Sequence, residues 1–438
     1  MNRKIRVLVI THAPWRNDTS VGNSYSNIFD GMDDRLEFAQ IYIRDGLPEN
    51  KMVHKYFRIS EKKLLKSILT RKRVGEAFDL DNPMDTPPVK FSNAYNKMRS
   101  LRWNIFLIGR DVAYSMGKWK TSELNSFLDD FKPDIIFGTL IYIPLVNQLM
   151  LYAKKRTGAK LITYPWDDWY HINRYNKSPM YFFRIWLERH YIKKTAAECS
   201  YLYTITEQMK KEYSEIFQKE CKLLRKGYVF DQPPAFKKVT SNEVKLLFAG
   251  NIGDNRWKVL AEIADAIHEI NKASEKKLKM DIYTLSPITD EMRTALDVPD
   301  ESFLKGAIPS AKVTEVMEDA DILVHVEPLE KAKLENCRLS FSTKIVDYLY
   351  KGKCVLAVGG QNASMRYLKD NNAAIVVDDL SKLKFALKQL VDNPEKINEY
   401  SSKAWECGKD NHDIRKIQDM IWCDFNSVLK SKDVTYEG

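Results

Sequence analysis

A serine, a threonine and a lysine stand side by side at Ser342, Thr343 and Lys344, inside a segment that runs from Arg338 to Gly360. The segment reads as a short polar loop, a helix, a helix-stopping Gly352 and a buried strand that ends on two glycines. A helix that opens on these three residues offers free backbone N–H groups, hydroxyls and a cation at one point. Phosphate or diphosphate suits that combination. Arg338, Ser340 and Phe341 make up the rest of the loop. Asp347, one turn further in, can accept hydrogen bonds from sugar hydroxyls. The alternative is an ordinary capped helix in an α/β domain.

Four other places carry possible chemistry. The turn after the first strand holds Gly22 and Asn23, and a glycine there lets backbone approach a sugar or diphosphate closely. It is not the Gly-x-Gly-x-x-Gly pattern, which argues against NAD. The turn Gly250-Asn251-Ile252-Gly253 leads to Arg256 and Lys258 at a helix start. Cations gain nothing from the dipole there, so an anion bound between them makes better sense. Glu327 lies just past a strand end, where loops carry function. The stretch from Tyr164 to Tyr175 gathers aromatics, Asp167, Asp168 and His171. Aromatic faces pack on sugar rings, carboxylates accept from hydroxyls, and any of the three titratable groups could handle a proton. The Asp-Asp pair lacks the further ligands a metal site needs, so no metal is expected.

These residues need elements to hold them. Short apolar runs at Ile5–Ile10, Glu37–Ile43, Asp134–Gly138, Lys160–Tyr164 and Tyr201–Ile205 alternate with helical stretches. That rhythm predicts a parallel sheet with helices on both faces. Residues from about 47 to 120 interrupt it with a basic, mostly helical pattern. Lys62 to Arg73 places Leu64, Leu65, Ile68 and Leu69 on one face, and Arg99 to Tyr114 carries Trp103, Phe106 and Leu107. Basic amphipathic helices of this kind lie on anionic membranes or pack on their own domain. A linker around Pro233-Pro234 and Thr240–Asn242 precedes a second α/β series, with strands at Val244–Ala249, Met280–Tyr283, Ile322–Val326, Cys354–Val358 and Ala374–Val377. The expected fold class is α/β: two Rossmann-like doubly wound domains facing a cleft. The predicted domains are 1–235 with 411–438, and 240–410, the last helix crossing back to the first domain. Ligands bind in such clefts at strand C-termini.

The bulk composition narrows the class. At 438 residues the chain is long enough for two or three domains. With 44% hydrophobic and 29% charged residues it is a folded globular protein. No run of about 18 apolar residues is present, so no membrane-crossing helix is expected. The apolar run near the start is short and lacks a cleavage site, so it reads as a first strand. Six scattered cysteines fit a reducing compartment and no disulfide framework. The net charge of +10 favours anionic partners. Zinc, RNP and basic-zipper signatures are missing, so nucleic acid is not among the expected partners.

In combination and order, several segments resemble family-four glycosyltransferases of the GT-B fold, especially those of polysaccharide biosynthesis. They are Leu247 to Gly253 with Arg256 and Trp257, Phe303 to Ile308, Ala320 to Glu327, and Arg338 to Lys344 running on to Asp347 and Gly352. The resemblance implies retaining transfer of a sugar from a nucleotide-diphosphate donor, with no cofactor and no bound metal. Asp347 matches the second acid of the family's paired-glutamate motif, which binds the ribose. Ser340, Phe341 and Ser342 match the loop whose amides contact donor sugar and phosphate. Arg256 or Lys258 matches the basic pair that neutralises the diphosphate, and Ala307 and Ile308 match the backbone beside the base. The first acid of the pair falls on Leu339, a departure that Glu327 is expected to make good.

The expectation is a cytoplasmic glycosyltransferase, peripheral on the inner membrane face, with a nucleotide-sugar donor and a glycan or lipid-linked acceptor as partners. Two other readings stand beside it: a nucleotide-sugar epimerase or hydrolase of the same frame, and a non-catalytic nucleotide- or glycan-binding protein.

Overall fold

The computed structural model describes residues 3–79, 104–171, 176–236 and 242–431. Two compact units divide the chain: Met1–Lys226 with Lys416–Gly438, and Gly227–Arg415. Each is built on its own sheet.

The first unit carries β1 (Ile5–Thr11), β2 (Leu36–Tyr42), β3 (Val53–Arg58), β4 (Glu76–Asp79), β5 (Ile135–Gly138), β6 (Lys160–Thr163), β7 (Tyr201–Thr204) and β8 (Cys221–Leu223). Their order across the sheet is β4-β3-β2-β1-β5-β6-β7-β8. All pairs are parallel except β3 with β4. β1 lies at the centre, with Val7 opposite Phe38 on one side and Ile135 on the other. Val7, Leu8, Val9 and Ile10 are fully buried. A run apolar at every position is what a strand covered on both faces requires.

The second unit carries β9 (Glu243–Ala249), β10 (Lys277–Tyr283), β11 (Ser302–Gly306), β12 (Ile322–Glu327), β13 (Cys354–Gly359) and β14 (Ile375–Val377). The order is β11-β10-β9-β12-β13-β14, with every pair parallel. Leu260, Ile263, Ile267 and Ile270 of the helix Arg256–Ala273 seat on this sheet and share its core with Leu246, Ile282 and Val324. Their three- and four-residue spacing makes that stripe. Helix Lys344–Tyr350 buries Ile345, Val346, Tyr348 and Leu349. It ends just before Gly352, whose φ of 55° only glycine adopts without strain.

The doubly wound α/β class holds in both units. The stretch from 47 to 120 differs from its mostly helical reading, because β3 and β4 add an edge to the first sheet. Polar residues at His54, Lys55 and Glu76 masked those two short strands. Helix Glu61–Thr70 buries Leu64, while Lys62 lies 3.3 Å from Asp45 and Lys63 2.9 Å from Glu76. It packs on helix Asn104–Met116. Arg99 to Trp103, the side chains of Leu69 and Phe106, residues 172–175 and linker residues 237–241 lie outside the described residues. The last helix spans Ile414–Lys430, and Lys416 onward belongs with the first unit. Ile421 and Phe425 are fully buried there. Among the described residues no helix is long and apolar enough to cross a membrane.

Candidate functional site

A cluster of charged side chains in the second unit forms at the C-terminal ends of β9 and β12. The turn after β9 is braced by its own polar groups. Asn251 Oδ1 accepts from the Gly253 amide at 2.7 Å and from Ser286 Oγ at 3.0 Å. Asp254 and Asn255 both hold positive φ, 54° and 64°, a strained pair just before helix Arg256–Ala273. This turn aims Arg256 at the end of β12, where Arg256 Nη2 donates to Glu327 Oε2 at 3.0 Å. His325 Nε2 lies 3.2 Å from the other Glu327 oxygen. Burial alone would raise the Glu327 carboxyl, but His325 and Arg256 overrule it and hold the value at about 2.

Lys344 completes the cluster from the start of its helix. Its ammonium donates to the Ala249 carbonyl at 3.0 Å and crosses directly over Gly250. A Cβ placed on Gly250 would lie 1.8 Å from Lys344 Nζ, so the glycine is what lets the lysine through. Burial pushes the Lys344 ammonium down to about 8, and neighbouring Arg256 pushes the same way, against Glu327 and Asp347. Lys344 and Arg256 therefore repel each other while both are drawn to Glu327. A depressed lysine beside an arginine marks a place where a bound anion would relieve repulsion.

The loop before that helix is held from behind. Ser364 Oγ accepts from the Ser342 amide at 3.0 Å and donates to the Ser340 carbonyl at 3.1 Å. The Ser342 amide, expected to face a phosphate, is therefore already engaged within the protein. Thr343 opens the helix with no side-chain cap bond. The Arg338 carbonyl accepts from the Ala363 amide at 3.0 Å. Phe341 is buried against Tyr367 and stacks on His412. Leu339 is fully buried, a core residue at the position of the missing acid. Asp347 accepts from the Tyr228 hydroxyl at 2.5 Å, and the Tyr228 ring stacks on Tyr350 with centroids 4.2 Å apart. Lys258 turns away to Glu330 at 3.0 Å instead of joining Arg256. Ala307 and Ile308 follow β11 and line a cavity of about 440 Å³ with Tyr283 and Lys312. A larger one of about 660 Å³, beside Tyr350, Gly352 and Trp405, contains none of the predicted donor residues.

In the first unit, Asp168, beyond β6, is an organiser of its turn. Its Oδ1 accepts from His171 Nδ1 at 2.8 Å, from the Tyr213 hydroxyl at 3.0 Å and from the His171 amide at 3.2 Å. These bonds favour the charged form and hold its carboxyl below the usual range despite burial. His171 Nε2 lies 3.1 Å from Glu212, so both ring nitrogens face carboxylates. Asp167 Oδ1 accepts from the Asp168 amide at 2.9 Å. Gly22 makes room for protein, since a Cβ there would sit 2.1 Å from the Arg16 carbonyl oxygen. The side-chain amide of exposed Asn23 donates to the Asn17 carbonyl at 3.4 Å.

Sequence reasoning passed over His12, which follows β1 directly. Its ring lies 6.3 Å from Trp166, and Trp166 meets Trp169 edge-on at 5.4 Å. Burial, then Arg44, lowers the His12 imidazole to about 4, so it is neutral at pH 7. His12 Nδ1, Trp166 Nε1 and Trp169 Nε1 are buried without a hydrogen-bond partner among the described residues. Three unsatisfied groups beyond the C-terminal ends of β1 and β6, two strands with β5 between them, call for polar ligand atoms or water. The signal in sequence was position alone, a histidine one residue past a central strand.

No family model matches the sequence, and no curated protein matches it either. Solved structures do. Sucrose-phosphate synthase from Thermosynechococcus elongatus aligns over 97% of this chain and 99% of its own, at 10% identity and a TM-score of 0.62. TarM aligns over 98% and 99%, at 11% identity and 0.61. HepE from Anabaena, solved in complex with UDP-glucose, aligns over 97% and 100%, at 12% identity and 0.56. Likeness at such low identity carries the fold and no more: this chain has the GT-B fold, two parallel-sheet α/β units, as those glycosyltransferases do.

Proposed function

We propose that this protein is a glycosyltransferase that moves a sugar from a nucleotide-diphosphate donor to a glycan or lipid-linked acceptor. Transfer proceeds with retention and without a bound metal, in cell-surface polysaccharide biosynthesis. The observation that carries the reading is the gathering of two cations at the ends of β9 and β12, Arg256 on Glu327 and Lys344 crossing over Gly250 to the Ala249 carbonyl, in a chain of GT-B fold. As the bond from sugar C1 to the diphosphate breaks, negative charge grows on the departing oxygen. Arg256 and Lys344 meet that charge, and fixed cations lower such a barrier more than water does. Glu327, ionised beside Arg256, takes a sugar hydroxyl in the place that Leu339 cannot fill. Asp347 takes the ribose, and Ala307 and Ile308 flank the base. On the first unit, Asp167, Asp168 and His171 orient the acceptor hydroxyl, with Trp166 and Trp169 as packing faces for its sugar ring. The protein works in the cytoplasm on the inner membrane face, where a lipid-linked acceptor is found.

Thermal-shift screening against a panel of nucleotide sugars tests the donor assignment. A donor present at about 100 times its dissociation constant stabilises by about 2.7 kcal/mol. A panel that shifts nothing sinks the reading. Buried Leu339 favours one second reading, a nucleotide- or glycan-binding protein without turnover. Incubating donor with and without acceptor extract separates the cases. Consumption only with extract supports transfer, consumption without it indicates a hydrolase or epimerase, and binding without consumption indicates the non-catalytic protein.

A further inference from the structure

The helix Pro179–Glu198 has an outer face of the wrong composition for water. Tyr181, Ile185, Glu188 and Ile192 are buried on its inner side. The opposite side leaves Met180, Phe182, Phe183 and Trp186 exposed at 39%, 42%, 51% and 64%. The Phe183 and Trp186 rings stack on each other in the open, with centroids 6.0 Å apart. A surface helix ordinarily places charged residues there, and a contiguous aromatic patch marks a docking surface. Helix Asn104–Met116 packs against it and leaves Val112 and Met116 exposed as well.

Charge identifies what docks. Exposed Lys193 and Lys194 follow on the same helix. Of the helix's two acids, Glu188 is buried and Glu198 lies 2.6 Å from Lys154. The outer face therefore presents cations without competing carboxylates, on a chain of net charge +10. A second copy of this chain would bring the same positive charge against itself. Tryptophan and phenylalanine beside lysines are the composition of an interfacial helix. We propose that the outer face of helix Pro179–Glu198 docks on a bilayer containing anionic phospholipid, with Phe183 and Trp186 entering the headgroup region and Lys193 and Lys194 meeting the lipid charge. The surface rests on the membrane part of the function proposed above and on nothing else in it. It also moves the contact away from Lys62–Arg73, where Leu64 is buried and Lys63 pairs with Glu76.

The test is flotation of the full chain with phosphatidylcholine vesicles, with and without phosphatidylglycerol. Wild type should float with the anionic vesicles, shift its tryptophan emission to the blue, and release in high salt. Phe183→Gln with Trp186→Gln should cut partitioning at least about tenfold. Lys193→Glu with Lys194→Glu should erase the preference for the anionic lipid. All four residues are exposed, and circular dichroism checks the folding of each variant. If wild type and the glutamine variant float equally, this surface is wrong while the membrane reading stands. If wild type stays in solution with both vesicles, the membrane reading falls with it. A UDP-glucose thermal shift, unchanged in all of these proteins, keeps the transferase reading separate. A dimer in sedimentation that the glutamine variant dissolves, without flotation, assigns the face to a second copy and overturns the proposal.

Discussion

Lys344 occupies a position with opposing consequences for stability and for binding. Its ammonium is buried beside Arg256 and titrates near 8, against an ordinary lysine value of 10.5. Between those two values the unfolded chain holds a proton that the folded chain has released. Stability contributed by this group therefore rises with pH through that window, and below it the native state carries the full penalty of a confined cation. Lys344→Met removes the penalty. It should raise the stability of the unliganded protein by about 1–3 kcal/mol at neutral pH, read by urea unfolding, while abolishing the thermal shift caused by a nucleotide sugar. For wild type, binding needs the protonated form, so the donor shift should shrink as pH rises past 8. A donor shift that survives in Lys344→Met removes this lysine from the site. Gly250→Ala isolates geometry from charge. The added methyl meets only the far end of a flexible side chain, so unfolding should change by less than about 1 kcal/mol, whereas donor affinity should fall about tenfold as the ammonium swings away.

At the scale of elements, the sequence carried most of the sheet and little of the loop geometry. Strands β5 and β13 contain no polar side chain, and β1, β9 and β12 each hold three or four consecutive apolar residues, because both faces of a parallel sheet are covered, and such runs stand out. β3 and β4 alternate with polar residues at the sheet edge and vanished into a basic stretch. Helix Lys344–Tyr350 was marked in advance by Gly352, but nothing local foretold that Ser364, twenty-odd positions on, would clip the loop before it. Contacts between elements are set by tertiary packing, which spacing does not encode. The pairing of Glu327 with both His325 and Arg256 is of the same kind. That pairing predicts an acid response. The folded value near 2 lies below the ordinary carboxylate value of 4.5, so Glu327 contributes stability that is fully present above about pH 4.5 and lost as pH falls toward 2. Glu327→Gln should cost about 2–4 kcal/mol at pH 7, and the difference from wild type should shrink steadily in unfolding experiments at lower pH. A pH-independent difference would mean that packing, not charge, holds the end of β12.

The whole molecule is two cores joined by a chain that leaves the first unit and returns to it. Residues from Lys416 onward complete the first unit. Phe425 is fully buried, with its ring 6.4 Å from Phe137 of β5. Asp424 takes the Tyr203 hydroxyl at 2.8 Å and Lys222 at 2.6 Å. The final helix is thus a structural part of a sheet assembled about two hundred residues earlier, and closing so long a loop adds little entropy beyond a shorter one. The second unit has a separate core around Leu246, Ile263 and Val324. Separate cores unfold as separate cooperative units. Phe425→Ala should remove about 3–5 kcal/mol from the first unit alone. Hydrogen exchange followed by mass spectrometry should show lost protection in β5, β6 and β7, with β9, β12 and β13 unchanged. Because Arg256 and Lys344 belong to the second unit, the same variant should keep its thermal shift with a nucleotide sugar, while transfer to an acceptor should fall. Matching loss of protection in both sheets would show one cooperative body, and the assignment of donor binding to the second unit by itself would then fail.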